Sequence, residues 1–199
     1  DVLDDETEQI RKTRWDEFVG KKQVVQWSTH ISNMHSDENE KNEMQLIFDE
    51  LRVNHVAQMQ FGPDIATVLF QGNVSMVKSK KTKKIRNVFV NEHHVVSMRA
   101  SDGLFILKLH GGKKIHKHSH PPRFRIIVDD EAVPFIKEGK SVFSKFVISA
   151  DDTLRPYDDC IVVSENDEFL AVGQCLLSPC EMGVFRSGLA VKIREHVDD

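Results

Sequence analysis

The stretch Val74-Ser-Met-Val-Lys-Ser-Lys-Lys-Thr-Lys-Lys-Ile-Arg-Asn-Val-Phe-Val90 decides how the chain folds. Two strand-like runs, Val74 to Lys78 and Ile85 to Val90, flank the Lys-rich turn Ser79 to Lys84, so the stretch reads as an antiparallel hairpin. Two more runs follow, Val95 to Arg99 and Leu104 to Leu109, set off by Asn91-Glu92 and by Ser101-Asp102-Gly103, residue types that favour turns. Upstream, Met44, Ile47, Phe48, Leu51 and His55 recur at three-and-four spacing, which predicts a helix from Asn42 to Ala57 with that stripe in the core. The polar run Ser36 to Glu43 before it reads as a linker or an exposed first turn. A small antiparallel sheet with one helix results, and His120-Pro121-Pro122 breaks it off.

A second set of elements begins at Arg123. Strands are expected at Phe124 to Val128, Val142 to Ile148, Cys160 to Val163, Phe169 to Cys175 and Leu189 to Arg194, with a short helix over Glu131 to Glu138 ended by Gly139. Ser178-Pro179-Cys180-Glu181 announces another helix: Ser178 caps, Pro179 takes the first helical position and Glu181 completes a capping box. Five short strands and two short helices fit a partly open β-barrel better than a parallel unit, whose crossovers need longer helices. The fold class is therefore α+β. Residues 1–41 form an acidic extension, residues 42–121 the sheet-and-helix domain with the basic hairpin, and residues 122–199 the barrel.

A chain of 199 residues with 40% hydrophobic residues can bury a sizeable core. No apolar run approaches the roughly 18 residues that cross a bilayer, and the acidic start, Asp1 to Glu8, is unlike a secretory signal. A cytoplasmic protein is expected. Cys160, Cys175 and Cys180 form no even disulfide framework and no Cys-x-x-Cys pair, and read as buried free thiols.

The net charge of -4 hides three blocks of different sign. Residues 1–50 hold 6 Lys/Arg against 13 Asp/Glu, residues 51–128 hold 14 against 3, and residues 129–199 hold 7 against 15. A polyanion senses charge within about one Debye length, about 8 to 10 Å, and so meets the middle block rather than the average. Lys78, Lys80, Lys81, Lys83, Lys84 and Arg86 crowd the hairpin, where side chains can fan toward a phosphate backbone. Arg99, Lys108, Lys113, Lys114, Lys117, Arg123 and Arg125 follow in the same block and support a nucleic-acid surface. The acidic pairs Asp151-Asp152 and Asp158-Asp159 read as turns and solvated surface.

His116, His118 and His120 alternate, with His110 nearby, and in an extended segment would share one face. No Cys or acidic residue completes a metal set, so they read as exposed linker histidines, and neither metal nor cofactor is expected. Gly-rich phosphate loop, nucleophile elbow, His-Glu-x-x-His and Cys knuckle are all missing from the sequence, so the chain is not expected to catalyse a reaction alone.

Val133-Pro-Phe-Ile-Lys-Glu-Gly-Lys-Ser-Val-Phe-Ser-Lys-Phe-Val147, Asp151-Asp-Thr-Leu-Arg-Pro156 and Asp167-Glu-Phe-Leu-Ala-Val-Gly173 resemble a PUA domain, specifically the one closing archaeal archaeosine-pathway enzymes. Gln60-Phe-Gly62, Ser79 to Arg86, Ser97-Met-Arg-Ala-Ser-Asp-Gly-Leu-Phe105 and Leu109-His-Gly111 resemble the C2-like domain that precedes it in archaeosine tRNA-guanine transglycosylase and archaeosine synthase. The resemblance implies a module that holds the acceptor stem and CCA end of tRNA while a separate catalytic domain acts on position 15. It places Gly139, Lys140, Ser141, Val142, Phe143 and Lys145 along the PUA groove, where a single-stranded end lodges against main-chain groups. With the basic-block residues Lys78, Lys80, Lys81, Lys83, Lys84, Arg86 and Arg99, these are the candidate RNA-binding residues. The family often carries glycine at the positions of Lys83 and Tyr157, so different local turns are expected there. The family's catalytic aspartate and Cys/His zinc site have no counterpart here, which leaves two expectations: a piece of a longer enzyme, or a separate tRNA-binding subunit. Trp15, Phe18 and Trp27 in the acidic extension are candidates for docking a catalytic partner. The alternative function is an adaptor whose main role is to bind a protein partner.

Overall fold

The structure, a computed structural model, describes residues 38–197. The expected docking residues Trp15, Phe18 and Trp27 lie outside the described residues. Residues 1–55 and 56–199 form two units. Helix α1 (Glu38–Phe61) is longer than expected at both ends and begins in the first unit and ends in the second. Its buried positions are also displaced. Val53, Ala57 and Phe61, four residues apart, are buried, whereas Phe48 and His55 of the expected stripe are exposed. The two apolar stripes fall on different sides of the helix wheel, each at helical spacing, and residue spacing alone does not choose between them.

The second unit holds two sheets. The first is β1 (Val74–Lys78), β2 (Ile85–Val90), β3 (His93–Met98) and β4 (Phe105–Leu107), in that spatial order and antiparallel throughout. The first two strands match the expected hairpin. Asn91 and Glu92 both take left-handed backbone, φ 48° and 69°, which closes the β2–β3 hairpin in two residues, and the Asn91 side chain accepts from Asn73 N–H at 2.9 Å. Two helices were not expected: α2 (Pro63–Leu69), opened by Pro63 at its first position, and α3 (Leu109–His118).

The second sheet has the order β6-β10-β9-β8-β5-β7, formed by β5 (Arg125–Val128), β6 (Val142–Phe143), β7 (Val147–Ala150), β8 (Asp159–Val163), β9 (Phe169–Cys175) and β10 (Leu189–His196). Pairing is antiparallel except for β5 with β8. A short 3-10 turn, Ser144–Phe146, divides the single strand expected over Val142 to Ile148. The helix α4 (Val133–Lys137) and the helix α5 (Pro179–Val184) complete this half, the latter with the expected capping box of Ser178 and Glu181. Its core gathers Ile126, Ile136, Val142, Val162, Leu170 and Val191. Cys160 and Cys175 lie in it, while Cys180 is exposed, contrary to expectation, at the start of α5.

All five residues of β8 are buried, because both faces of this central strand are covered. Cys160 and Val162 face the core just described. Ile161, paired with Val172, faces α3 and β4 on the other side. Helix α3 is thus a wedge between the sheets. A Cβ on Gly111 would collide with Val95 O of the first sheet, and one on Gly112 with Val172 Cγ1 of the second. Consecutive helical residues point about 100° apart, so two adjacent glycines serve two different surfaces.

Candidate nucleic-acid interface

The basic hairpin is closed by its own backbone. Ser79 N–H donates to Lys84 O at 2.9 Å, Lys83 N–H to Ser79 O at 2.9 Å, and Thr82 N–H to the Ser79 hydroxyl at 3.3 Å. Lys83 takes left-handed backbone, φ 57°, the conformation that suits glycine. Lys80, Lys81, Lys83, Lys84 and Arg86 are exposed; Lys78 is half-buried on β1. Four ammonium groups within five residues on a tight turn form a dense positive projection.

Most other cations of the basic block serve the fold. Arg125 is 1% exposed: its Nε donates to Asp167 Oδ1 at 2.6 Å, and its two other nitrogens reach the carbonyls of His116, Ser119 and Arg123 and the Ser119 hydroxyl. Arg123 is paired with Asp64 and donates to Phe61 O. Lys114 donates to the carbonyls of Leu69 at 3.0 Å and Gln71 at 3.1 Å, closing the end of α2, and burial lowers its pKa. Lys108 is 2.6 Å from Glu195, and Arg99 is 3.2 Å from Asp102. The count of positive residues that pointed to a surface therefore overstates it. Lys113 and Lys117, on the outer face of α3, remain exposed.

Carboxylates of the second sheet bind main chain of the first. Glu195 accepts from Leu109 N–H at 2.7 Å, one of the donors that a helix start leaves without an internal partner. Asp159 accepts from Leu107 N–H at 2.6 Å. It is buried, and burial raises its pKa to about 6 against the opposing pull of that hydrogen bond, Arg194 and Arg99. Asp151 is buried as well and accepts from Phe124 N–H at 2.6 Å and Thr153 N–H at 2.9 Å. Two of the four acidic residues taken for solvated turns are thus buried structural acceptors. The sequence signal for Arg125 was its place before Ile126 and Ile127, since a cation leading an apolar strand must find partners.

In the second half, α4 ends in a Schellman turn at Gly139, φ 79°: Gly139 N–H donates to Ile136 O at 2.8 Å and Lys140 N–H to Phe135 O at 3.0 Å. The chain then passes Ser141, whose hydroxyl accepts from Ile193 N–H at 3.4 Å, into β6. Val142 is 1% exposed and packs in the core, so its side chain is withheld from any ligand. Phe143 is 47% exposed and lies opposite Leu189, itself exposed. Lys140 pairs with Glu138 at 2.6 Å, and Lys145 sits 4.4 Å from the Phe146 ring.

Of the histidines expected in a linker, only His120 is in one, exposed in the loop between α3 and β5. His116 and His118 lie on α3, two residues apart and so on different faces. His116 Nε2 is 2.8 Å from Asp167 O, and His118 Nδ1 is 2.9 Å from Lys114 O. No three His, Cys, Asp or Glu residues among the described residues form a metal-sized group. No helix among them is long and apolar enough to cross a membrane.

Residues 51–122 match the model of the patch-forming domain C2 of tRNA-guanine transglycosylase, and residues 124–197 match that of the PUA domain. A tRNA-guanine(15) transglycosylase of Methanobrevibacter smithii is 40% identical over 166 residues, 83% of this chain and 25% of that protein. That of Thermococcus onnurineus is 43% identical over 143 residues, 72% of this chain and 24% of that protein. The chain thus spans about a quarter of the length of these relatives. Among solved structures, a hypothetical protein of Pyrococcus horikoshii superposes with a TM-score of 0.61 at 25% identity, over 76% of this chain and 91% of its own. A conserved PUA domain protein of Thermoplasma acidophilum does so with a TM-score of 0.52 at 20% identity, over 73% and 91%.

Proposed function

Since the chain carries a patch-forming C2 domain of the tRNA-guanine transglycosylase kind followed by a PUA domain, we propose that it is the tRNA-binding module of an archaeosine-forming enzyme. In this reading it holds the acceptor stem and CCA end while a separate catalytic domain or subunit acts on position 15. The observation that carries it is the exposed Lys80, Lys81, Lys83 and Lys84 on a backbone-closed hairpin, next to neighbours whose own charges are bound up in the fold. Lys80, Lys81, Lys83, Lys84 and Arg86 contact phosphates, and Lys78 supports them from β1. Arg99 contributes less, because Asp102 already neutralises part of its charge. Gly139, Lys140, Ser141, Phe143 and Lys145 line the groove for the single-stranded end. Val142 contributes to that groove only through its backbone, since its side chain is in the core.

The test is tRNA binding by the full chain. Replacing Lys80, Lys81, Lys83 and Lys84 with Glu is expected to weaken it at least a hundredfold near 0.1 M salt, roughly the effect of losing several phosphate contacts. Unchanged affinity overturns the role of the hairpin. Removing the CCA end from the tRNA is expected to weaken binding too, and indifference to that change overturns the role of the groove.

A further inference from the structure

With the fold-serving cations set aside, a second positive face stands apart from the hairpin. His110, Lys113 and Lys117 recur at three and four residues along α3, so they share one face, and all three are exposed. β3 adds His93, also exposed, whose ring lies parallel to that of His110 with centroids 3.9 Å apart and planes 11° apart. Lys113 and Lys117 form no ion pair among the described residues.

His110 is placed to gain a proton when an anion arrives. Burial, His93, Lys113 and Lys114 together lower the His110 pKa. The ammonium of Lys114 is turned inward to the α2 carbonyls, and His94, next along β3, is turned to Ser97 and the Phe89 ring. Glu92 precedes His93 in the hairpin turn and is the acidic residue nearest in sequence to the pair. A phosphate placed over the rings, 3.9 Å apart, offsets the positive charges around His110 and favours its imidazolium.

We propose that this outer face of α3 is a second RNA-backbone contact, with one phosphate on the His93–His110 pair, another held by Lys113 and Lys117, and a proton taken up by His110 on binding. The proposal rests on the reading that the chain binds tRNA. The two faces touch different phosphates. The Lys-rich turn precedes β2 and the turn before His93 follows it, so they are separated by a strand of six residues, about 20 Å at about 3.3 Å per residue. Each face therefore adds its own increment to the salt dependence.

Fluorescence anisotropy with labelled tRNA, across salt and at pH 6 and pH 8, reads both parts. Lys113→Ala with Lys117→Ala is expected to lower the slope of log K against log salt by about one to two, roughly 0.9 per lost phosphate contact. The wild-type chain is expected to bind about three- to tenfold more tightly at pH 6 than at pH 8, as one linked proton allows. His93→Gln with His110→Gln is expected to remove most of that difference while leaving the far-ultraviolet circular dichroism unchanged. Wild-type binding with slope and pH difference preserved in both double variants overturns this inference and leaves the tRNA reading standing. A wild-type chain without tRNA affinity overturns both.

Discussion

Arg125 Nε donates to Asp167 Oδ1 at 2.6 Å, and this pair ties the start of β5 to the turn between β8 and β9 while the remaining guanidinium donors reach back to the end of α3. Asp167 is held below the usual carboxylate range: partial burial acts against this, but the Arg125 hydrogen bond and charge and the nearby His116 outweigh it. Because the arginine is buried, its removal strands several acceptors at once. Arg125→Ala is expected to destabilise the chain by about 3 to 5 kcal/mol, since several acceptors lose their donor at about 1 to 3 kcal/mol for each one left buried. Arg125→Lys should recover only part, since one ammonium cannot reproduce a planar fork. Urea unfolding followed by circular dichroism measures both, and a loss below about 1 kcal/mol for the alanine variant contradicts the role assigned to Arg125.

Asp159 makes stability depend on pH in the unusual direction. Its folded pKa of about 6 lies above the unfolded value of about 3.9, so between the two the folded chain binds more protons than the unfolded one. Its contribution is therefore fully present below pH about 3.9 and is lost as pH rises to about 6, after which it is flat. Asp167, shifted downward, runs the other way and contributes above its unfolded pKa. Asp159→Asn keeps an oxygen to accept from Leu107 N–H and removes the buried charge. Urea titrations from pH 4 to 7.5 are expected to show the wild type losing about 1 to 3 kcal/mol relative to the variant across the window. Parallel curves for the two proteins rule this origin out.

Gly111 and Gly112 are required by contact with two different sheets. Gly111→Ala and Gly112→Ala are each expected to cost about 1 to 3 kcal/mol, the usual range for overpacking, despite the better helix propensity of alanine. Gly183 on α5 is the control, since a Cβ there meets nothing within 4 Å, and Gly183→Ala should be neutral or stabilising by up to about 1 kcal/mol. Thermal melts of the three variants separate the contact effect from the propensity effect. Equal melting temperatures would remove α3 as the wedge.

These particular residues mark where the sequence was readable. Local chemistry announced what local chemistry determines: β1, β2 and β9 fall where alternation places them, and Ser178 and Glu181 cap α5 as their spacing requires. Helix α3 went unread because Gly111-Gly112 and the His-Lys run weaken every helical signal, and the reason for the glycines lies on strands up to 60 residues away, at Val172. Arg125, Asp151 and Asp159 looked like surface charge because their acceptors and donors come from distant segments. For the candidate interface, the hairpin was legible as a cluster of like charges in a turn. Which other cations stay free of the fold was not.

Lys83 joins backbone strain to charge, and a single replacement separates them. Its φ of 57° lies where a side chain is disfavoured by about 1 kcal/mol or more. Tyr157 shares the problem at φ 75° with its side chain 68% exposed. Both positions, where the resembling family often has glycine, keep a conformation natural to glycine. Lys83→Gly and Tyr157→Gly are each expected to stabilise the chain by about 0.5 to 1 kcal/mol, the gain in the left-handed region less the added freedom of the unfolded chain. For Lys83 the gain should come with weaker tRNA binding and a salt slope lower by about one, as for one lost phosphate contact. Tyr157→Gly, which changes no charge, should leave the salt slope alone. Stability by urea unfolding and affinity by anisotropy on the same two variants thus divide the residue's backbone from its ammonium. A Lys83→Gly chain more stable but equal in salt slope would place the hairpin's phosphate contacts on Lys80, Lys81, Lys84 and Arg86 without Lys83.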